Sequence, residues 1–482
     1  MYPPGQRIRV RNNGVGLASS ATALPLVVGH TIGATADTLY QFTNPNDARD
    51  ALTSGPALED VLACIASAGG CLYLATKATT AGTASAVTPS RADSSVGTIT
   101  VSGTYDLELD VRVEITSTGG LGVGRFRYSL DGGKTFGTVR TIPAGGTFAI
   151  PGTRITLTFV EDGGGSNPEF EAGDVHSFST TAPHYTTSDL TSAKAALLQQ
   201  IGARRIRRVF FTGRNADTGD GASMAAAVAT FMADLESEEY FARALLDAGD
   251  DTPANFVSDF AAFADDRVGV TYGDCRAISR FAFEGYSQPR QPILGVVAER
   301  AAVADISENL GRKASGPLSR VTEIFADEGV STAFTEADKV ITLRTYRGEA
   351  GFYITNGYLR SPAGSDFLYW DWGITVDELC EAIREGQSRW TLAKLRALTD
   401  GTGRLSSDDA SRVEASVLTI INARLSEPEN IEGYKGHVSA VGYAVDREND
   451  FLATRTLRTT GNAVPLVPVE TIETTVGLTR SL

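Results

Sequence analysis

From Leu107 to Ile115 apolar and charged residues alternate without a break. Leu107, Leu109, Val111, Val113 and Ile115 fall on one side, and Glu108, Asp110, Arg112 and Glu114 on the other. A period of two is that of a strand with one buried and one wet face. Thr98–Val101, Phe126–Tyr128, Ile155–Phe159 and Val175–Phe178 continue the theme, with glycine-rich turns between them. No helical periodicity interrupts the stretch from Thr88 to Ala182. Residues 88–183 are therefore predicted to form an all-β domain.

The flanking sequence has a different pattern. Leu24–Gly29 is a short apolar run, Asp60–Ala66 is helical in pattern, and Cys71–Ala75 is again strand-like. After the β stretch come an amphipathic helix over Ser188–Ile201, a strand at Val209–Phe211, helices over Gly221–Leu235 and Asn255–Phe263, and a strand at Val268–Tyr272. Alternating strands and helices predict a sheet covered by helices. The fold class is thus an α/β (α+β) core, residues 24–87 and 184–339, with the all-β domain inserted. A C-terminal α+β domain is expected over 340–463, with a helix opening at Asp377, another over Ser406–Leu425 and a strand at His437–Val445. Residues 1–23 and 464–482 read as strand-like arms. Val467–Val476 is rich in β-branched residues, which favours extended backbone, and Gly461-Asn462 reads as a flexible point before it.

The residues do not assemble into a catalytic or metal motif. His30, His176, His184 and His437 are far apart, and the four cysteines, Cys64, Cys71, Cys275 and Cys380, form no CxxC pair. They read as small buried residues. Gly133-Lys134-Thr135 resembles the end of a phosphate loop, but Tyr128 stands where the first glycine is required. Ser129-x-Asp131-x-Gly133-x-Thr135-Phe136 resembles the Asp-box of sialidase-like propellers, a turn-stabilising motif that leaves open glycan binding by the inserted domain. Asp250-Asp251, Asp265-Asp266, Glu169, Glu171 and Asp174 read as solvated or loop carboxylates. A net charge of −15 with a single dense basic run argues against a nucleic-acid surface, which needs clustered lysine and arginine. The basic run Arg204–Arg208 leads into an apolar strand and reads as a helix end. No apolar run of 18 or more residues is present, so no membrane insertion is expected, and the first residues carry no signal-peptide pattern.

Four segments, in order, resemble the contractile bacteriophage tail sheath protein family. They are Leu26–Gly29 through Gln41-Phe42 to Gly69-Gly70 and Leu72–Leu74; Pro292–Ala298 with Gly316-Pro317-Leu318; Val340–Arg344 with Gly348 and Gly351-Phe352-Tyr353; and Ile374–Leu379. Arg344 matches the arginine of the family's third segment. The family's asparagine after the second segment has no counterpart near Pro317.

The resemblance implies a structural subunit, not an enzyme, with no cofactor. Its partners would be further copies of itself in hexameric rings stacked into a helical sheath, the inner tail tube protein, and baseplate and tail terminator proteins. Its place would be the virion tail, assembled in the host cytoplasm. The terminal arms would complete a sheet in neighbouring subunits, with Ile8, Val10, Val469, Ile472 and Val476 as the contact residues. The helix from Asp377 to Arg389, continuing to Leu398, would face the tube through Arg384, Arg389, Lys394 and Arg396. A surface adhesin whose β-domain binds glycan is the alternative reading.

Overall fold

The computed structural model describes residues 23–92, 94–163, 168–213, 221–249, 252–281, 283–325 and 334–469. They fall into two compact units. The larger runs to Ala304 and resumes over Leu310–Gly373, and the smaller holds Asp305–Asn309 and the chain from Ile374 onward.

The larger unit opens with β1 (Leu24–Gly29), β2 (Thr38–Phe42), α1 (Pro45–Leu52), α2 (Leu58–Ala68) and β3 (Cys71–Ala75). The Asn44 side chain accepts from the Asn46 N–H and starts α1. Gly69, at φ 73, ends α2 in the left-handed conformation, where a side chain would be strained.

The chain then enters the β-domain. Its strands are β4 (Thr88–Ser90), β5 (Thr98–Thr104), β6 (Leu109–Ser117), β7 (Arg125–Ser129), β8 (Arg140–Thr141), β9 (Thr147–Ala149), β10 (Arg154–Val160) and β11 (Val175–Thr180). They form two antiparallel sheets, β5-β10-β9 and β4-β11-β6-β7-β8. The alternation read from the sequence buries Leu109, Val111, Val113 and Ile115 between them. Phe126, Phe148, Phe159 and Phe170 fill the centre with edge-on and tilted ring contacts. Tyr286 belongs to the same core, and Phe281 and Phe283 pack on it. The β-domain is thus closed by a loop about a hundred residues further along the chain.

The α/β pattern resumes with α3 (Thr187–Gln200), β12 (Ile206–Phe211), α4 (Gly221–Ser237), β13 (Arg243–Asp247), α5 (Pro253–Asp259) and β14 (Val268–Thr271). The six-stranded sheet has the order β14-β13-β12-β1-β3-β2, parallel throughout except for β2. Strands β3, β12, β13 and β14 carry almost no exposed residue, because helices cover both faces. Chain order runs from β1 outward to β3, then returns to the other side of β1 with β12. The point between β1 and β12 is therefore a topological switch point. Beyond the sheet lie β15 (Asp274–Ala277), β16 (Arg290–Pro292), α6 (Leu294–Val303), β17 (Val321–Ile324), β18 (Leu343–Arg344) and β19 (Tyr353–Ile354).

The C-terminal unit contains α7 (Trp370–Ser388) from Ile374 on, α8 (Ser407–Ile421), β20 (Val438–Val445), α9 (Phe451–Thr454) and β21 (Thr459–Pro465). The Ser406 side chain caps α8 at the Asp409 N–H. Val413, Val417 and Ile421 of α8 pack with Leu379 and Ala382 of α7 and with Val438, Tyr443 and Val445 of β20.

Three expectations are corrected. The boundary placed at Val340 lies later, at Ile374, because Ile341 extends the large sheet: its N–H donates to Val270 O at 2.9 Å, and its carbonyl accepts from Tyr272 N at 3.0 Å. The helix expected to continue to Leu398 stops at Ser388, whose hydroxyl takes the Glu385 carbonyl at 2.7 Å, and Leu392 sits at φ 61. Gly461-Asn462 is no flexible point, since both residues lie within β21 opposite Tyr443 and Gly442.

Candidate functional site

Among the described residues, no group of three or more His, Cys, Asp or Glu is placed to hold a metal ion. Several acidic candidates are occupied in holding loops. Asp265 accepts from Arg267 N at 2.7 Å, and Asp266 accepts from the Ser365 hydroxyl at 2.7 Å. Asp174 accepts from Ala92 N and Glu171 N, and although burial opposes it, these backbone bonds hold its carboxyl below the usual range. Asp250 and Asp251 lie outside the described residues. In the basic run, Arg204 donates to the Gln200 and Ile201 carbonyls at the end of α3, and Arg208 donates to Ala302 O at 2.8 Å. These are helix-end and inter-element ties.

The Asp-box-like turn is complete in geometry. The Ser129 hydroxyl donates to Asp131 Oδ1 at 2.7 Å, Gly133 N donates to Ser129 Oγ at 2.8 Å, and Thr135 N donates to Asp131 Oδ1 at 2.8 Å. Gly132 and Gly133, at φ 73 and 90, give the turn its left-handed backbone. Its outward bonds go to the body of the same unit. Arg276 Nη1 donates to Asp131 O at 2.7 Å, and Gln288 N donates to Asp131 Oδ2 at 3.1 Å. Nearby, Glu284 accepts from the Thr138 hydroxyl at 2.7 Å and pairs with Arg140 at 2.6 Å. The Thr138 bonds, backbone first, and Arg140 pull the Glu284 carboxyl down to about 2. The turn anchors the β-domain.

The C-terminal unit carries an open sheet. β20 and β21 form a two-stranded antiparallel sheet, and among the described residues no further strand joins either edge. One face is fixed to the helices, where Gln387 Nε2 donates to the Tyr443 hydroxyl at 3.0 Å and to Thr459 Oγ1 at 2.9 Å. A shift of register between Val438 and Ala440 lets Val438, Tyr443 and Val445 all reach the core. After β21 the chain leaves the sheet with Val467 and Val469 exposed at 74% and 78%. This sheet was not singled out in the sequence, although the apolar spacing of His437–Val445 signalled its first strand.

The named site residues divide three ways. Ile8, Val10, Ile472 and Val476 lie outside the described residues, and Val469 is exposed beyond β21. Arg384 and Arg389 are exposed near the end of α7, with Arg384 paired to Glu381 at 2.7 Å. Lys394 and Arg396 lie on the loop after α7, and Arg396 is drawn to α8, where its N–H donates to Asp409 Oδ2 at 2.7 Å and its guanidinium follows at 3.3 Å. The structure therefore does not place these four on one helix face.

Residues 7–358 match the family described as DUF2586, N-terminal domain. No curated protein matches the chain. Among solved structures, it is similar to the sheath tail protein of Listeria innocua at 7% identity, covering 93% of this chain and 96% of that one with a TM-score of 0.46. It is similar to the sheath tail protein of Desulfitobacterium hafniense at 12% identity, covering 95% and 100% with a TM-score of 0.46. A chain of the anti-feeding prophage baseplate in its contracted state gives 12% identity, 99% coverage of each and a TM-score of 0.47.

Proposed function

This chain belongs to the family described as DUF2586, N-terminal domain, and we propose that it is a structural subunit of a contractile tail sheath, polymerising around an inner tube and contracting to drive that tube through a host envelope. The ordered sequence segments that resemble sheath proteins supply the reading. The observation that carries it is the open β20–β21 sheet, which is followed by the strand-like stretch Val467–Val476 in the sequence.

A two-stranded sheet is a marginal structure with two rows of unpaired backbone groups. Such edges invite aggregation unless a partner strand covers them. In the proposed assembly the arms of neighbouring subunits add to these edges. The eight residues of β20 direct about half of their peptide groups away from β21, and one of these, the Val445 N–H, is already taken by Glu414 Oε1 at 2.9 Å. Each bond formed there contributes roughly 0.5–1.5 kcal/mol net. A strand added at each edge by a different neighbour is a heterologous contact, and repeated with rotation and rise it builds a helical tube.

In this account contraction is mechanical. The doubly wound core moves as a rigid body, the arms act as hinges, and the energy released lies in packing differences between two assembled states. Electron microscopy of the purified protein tests the reading: sheath-like tubes support it, and discrete monomers or trimers that bind glycan would favour the adhesin.

A further inference from the structure

The switch point between β1 and β12 is where doubly wound sheets bind ligands, beyond the carboxyl ends of the strands. Here that position opens into a cleft of about 500 Å³, within the usual range for small-molecule sites. Its wall includes Gly213 just after β12, Asp60 in the first turn of α2, Gly295 in the first turn of α6, and Phe281 and Tyr286 from the loop that closes the β-domain.

The charges at the cleft are unequally paired. On its wall Arg290 pairs with Asp274 at 2.7 Å and Glu59 with Arg320. The Asp60 carboxyl, half-buried on the cleft wall, has neither a hydrogen bond nor an ion pair among the described residues. It packs against Gly295 so closely that a Cβ there would meet Asp60 Oδ1 at 2.3 Å. A carboxyl with no protein donor at the wall of a cleft is free to accept from an occupant. Two aromatic rings, 6.1 Å apart, share the wall with it. A carboxylate beside aromatic rings suits an ammonium group, which brings three donors and a charge that ring faces attract. A divalent metal would need more oxygen ligands than the described residues bring together.

We propose that this cleft is a binding site for a small alkylammonium ion, with Asp60 accepting from the ammonium group and Phe281 and Tyr286 flanking its alkyl chain. The site spans the core and the loop that closes the β-domain, so an occupant braces one against the other.

The probe is 1,4-diaminobutane, titrated calorimetrically into the full-length protein, with magnesium chloride and sodium butyrate as comparisons. The expected result is saturable binding of the diamine alone, accompanied by a rise in Tm. Asp60→Asn keeps the shape and should weaken binding at least tenfold. Phe281→Leu keeps an apolar wall without the ring and should weaken it several-fold, which serves if the first variant fails to fold. Absence of diamine binding, binding unchanged in both variants, or preferential binding of butyrate or magnesium would overturn the proposal.

Discussion

Arg276 Nη1 donates to the backbone carbonyl of Asp131 at 2.7 Å and to that of Gln288 at 3.1 Å. The Asp131 carboxylate in turn accepts from Thr135 and from Gln288 N. A turn that looks self-contained in the sequence is thus the joint between the β-domain and the strand β15. Both residues are buried, so each bond is made away from competing water.

Asp131→Ala should therefore cost roughly 2–4 kcal/mol, since several donors lose their acceptor at once. Arg276→Lys should not match the wild type, because a single ammonium nitrogen cannot hold both carbonyls and also face Glu323, which the guanidinium Nε meets at 3.3 Å. Chemical denaturation of the two variants checks this. An Asp131→Ala protein as stable as the parent would refute the role of the turn.

Removing residues 87–183 and joining Ala86 to His184 should leave a core that folds poorly, because Phe281, Phe283 and Tyr286 lose the apolar partners that cover them. β15 and β16 are antiparallel neighbours, with Arg276 opposite Arg290. Replacing residues 278–289 with a short turn in the same deletion should restore a soluble, cooperatively unfolding core. Gel filtration and circular dichroism compare the two deletions, and equal behaviour would show that the loop does not depend on the β-domain.

Burial, reinforced by Glu59 and Glu299 and opposed by Arg320, pushes the Asp60 carboxyl from its ordinary 3.8 up to about 7. Between those values the folded protein keeps a proton that the unfolded chain has released. This group's contribution is thus full below pH 4 and is lost as pH rises through 7. In Asp60→Asn the fall in Tm between pH 5 and 8 should shrink. An unchanged pH profile would contradict the placement of this carboxyl.

Arg384→Glu with Arg389→Glu should weaken assembly on tubes while leaving the soluble subunit folded, since both side chains are exposed. Arg396→Glu should instead loosen the loop that Asp409 holds. Co-sedimentation with tubes and limited proteolysis separate the two effects. Unchanged assembly of the double variant would remove the end of α7 from the tube interface.

The large sheet was legible because burial on both faces leaves continuous apolar runs such as Leu72–Leu74 and Val209–Phe211. The antiparallel strands between Thr88 and Thr180 were legible from their period of two. The loop carrying Phe281, Phe283 and Tyr286 was not, since nothing local says that an aromatic loop closes a distant core. The strand at Gly461-Asn462 was missed for a similar reason: pairing with β20 overrides the weak strand preference of those two residues. Arg384, Arg389, Lys394 and Arg396 are all exposed, but α7 carries only Arg384, and Arg396 lies on a loop that folds back onto α8. Asp60 looked like one more residue of a helix, and only the switch-point topology places it in a cleft.

The central claim is that the terminal segments join subunits by adding strands to the β20–β21 edges. β21 runs to Pro465, so the cut that removes the arm without touching the hairpin lies after Val469. Electron microscopy and sedimentation of the chain ending at Val469, beside the full-length protein, test the claim most directly. The account predicts long tubes from the full-length chain, and folded single subunits without tubes from the truncated one. Tubes of normal length and diameter from the truncated chain would contradict it.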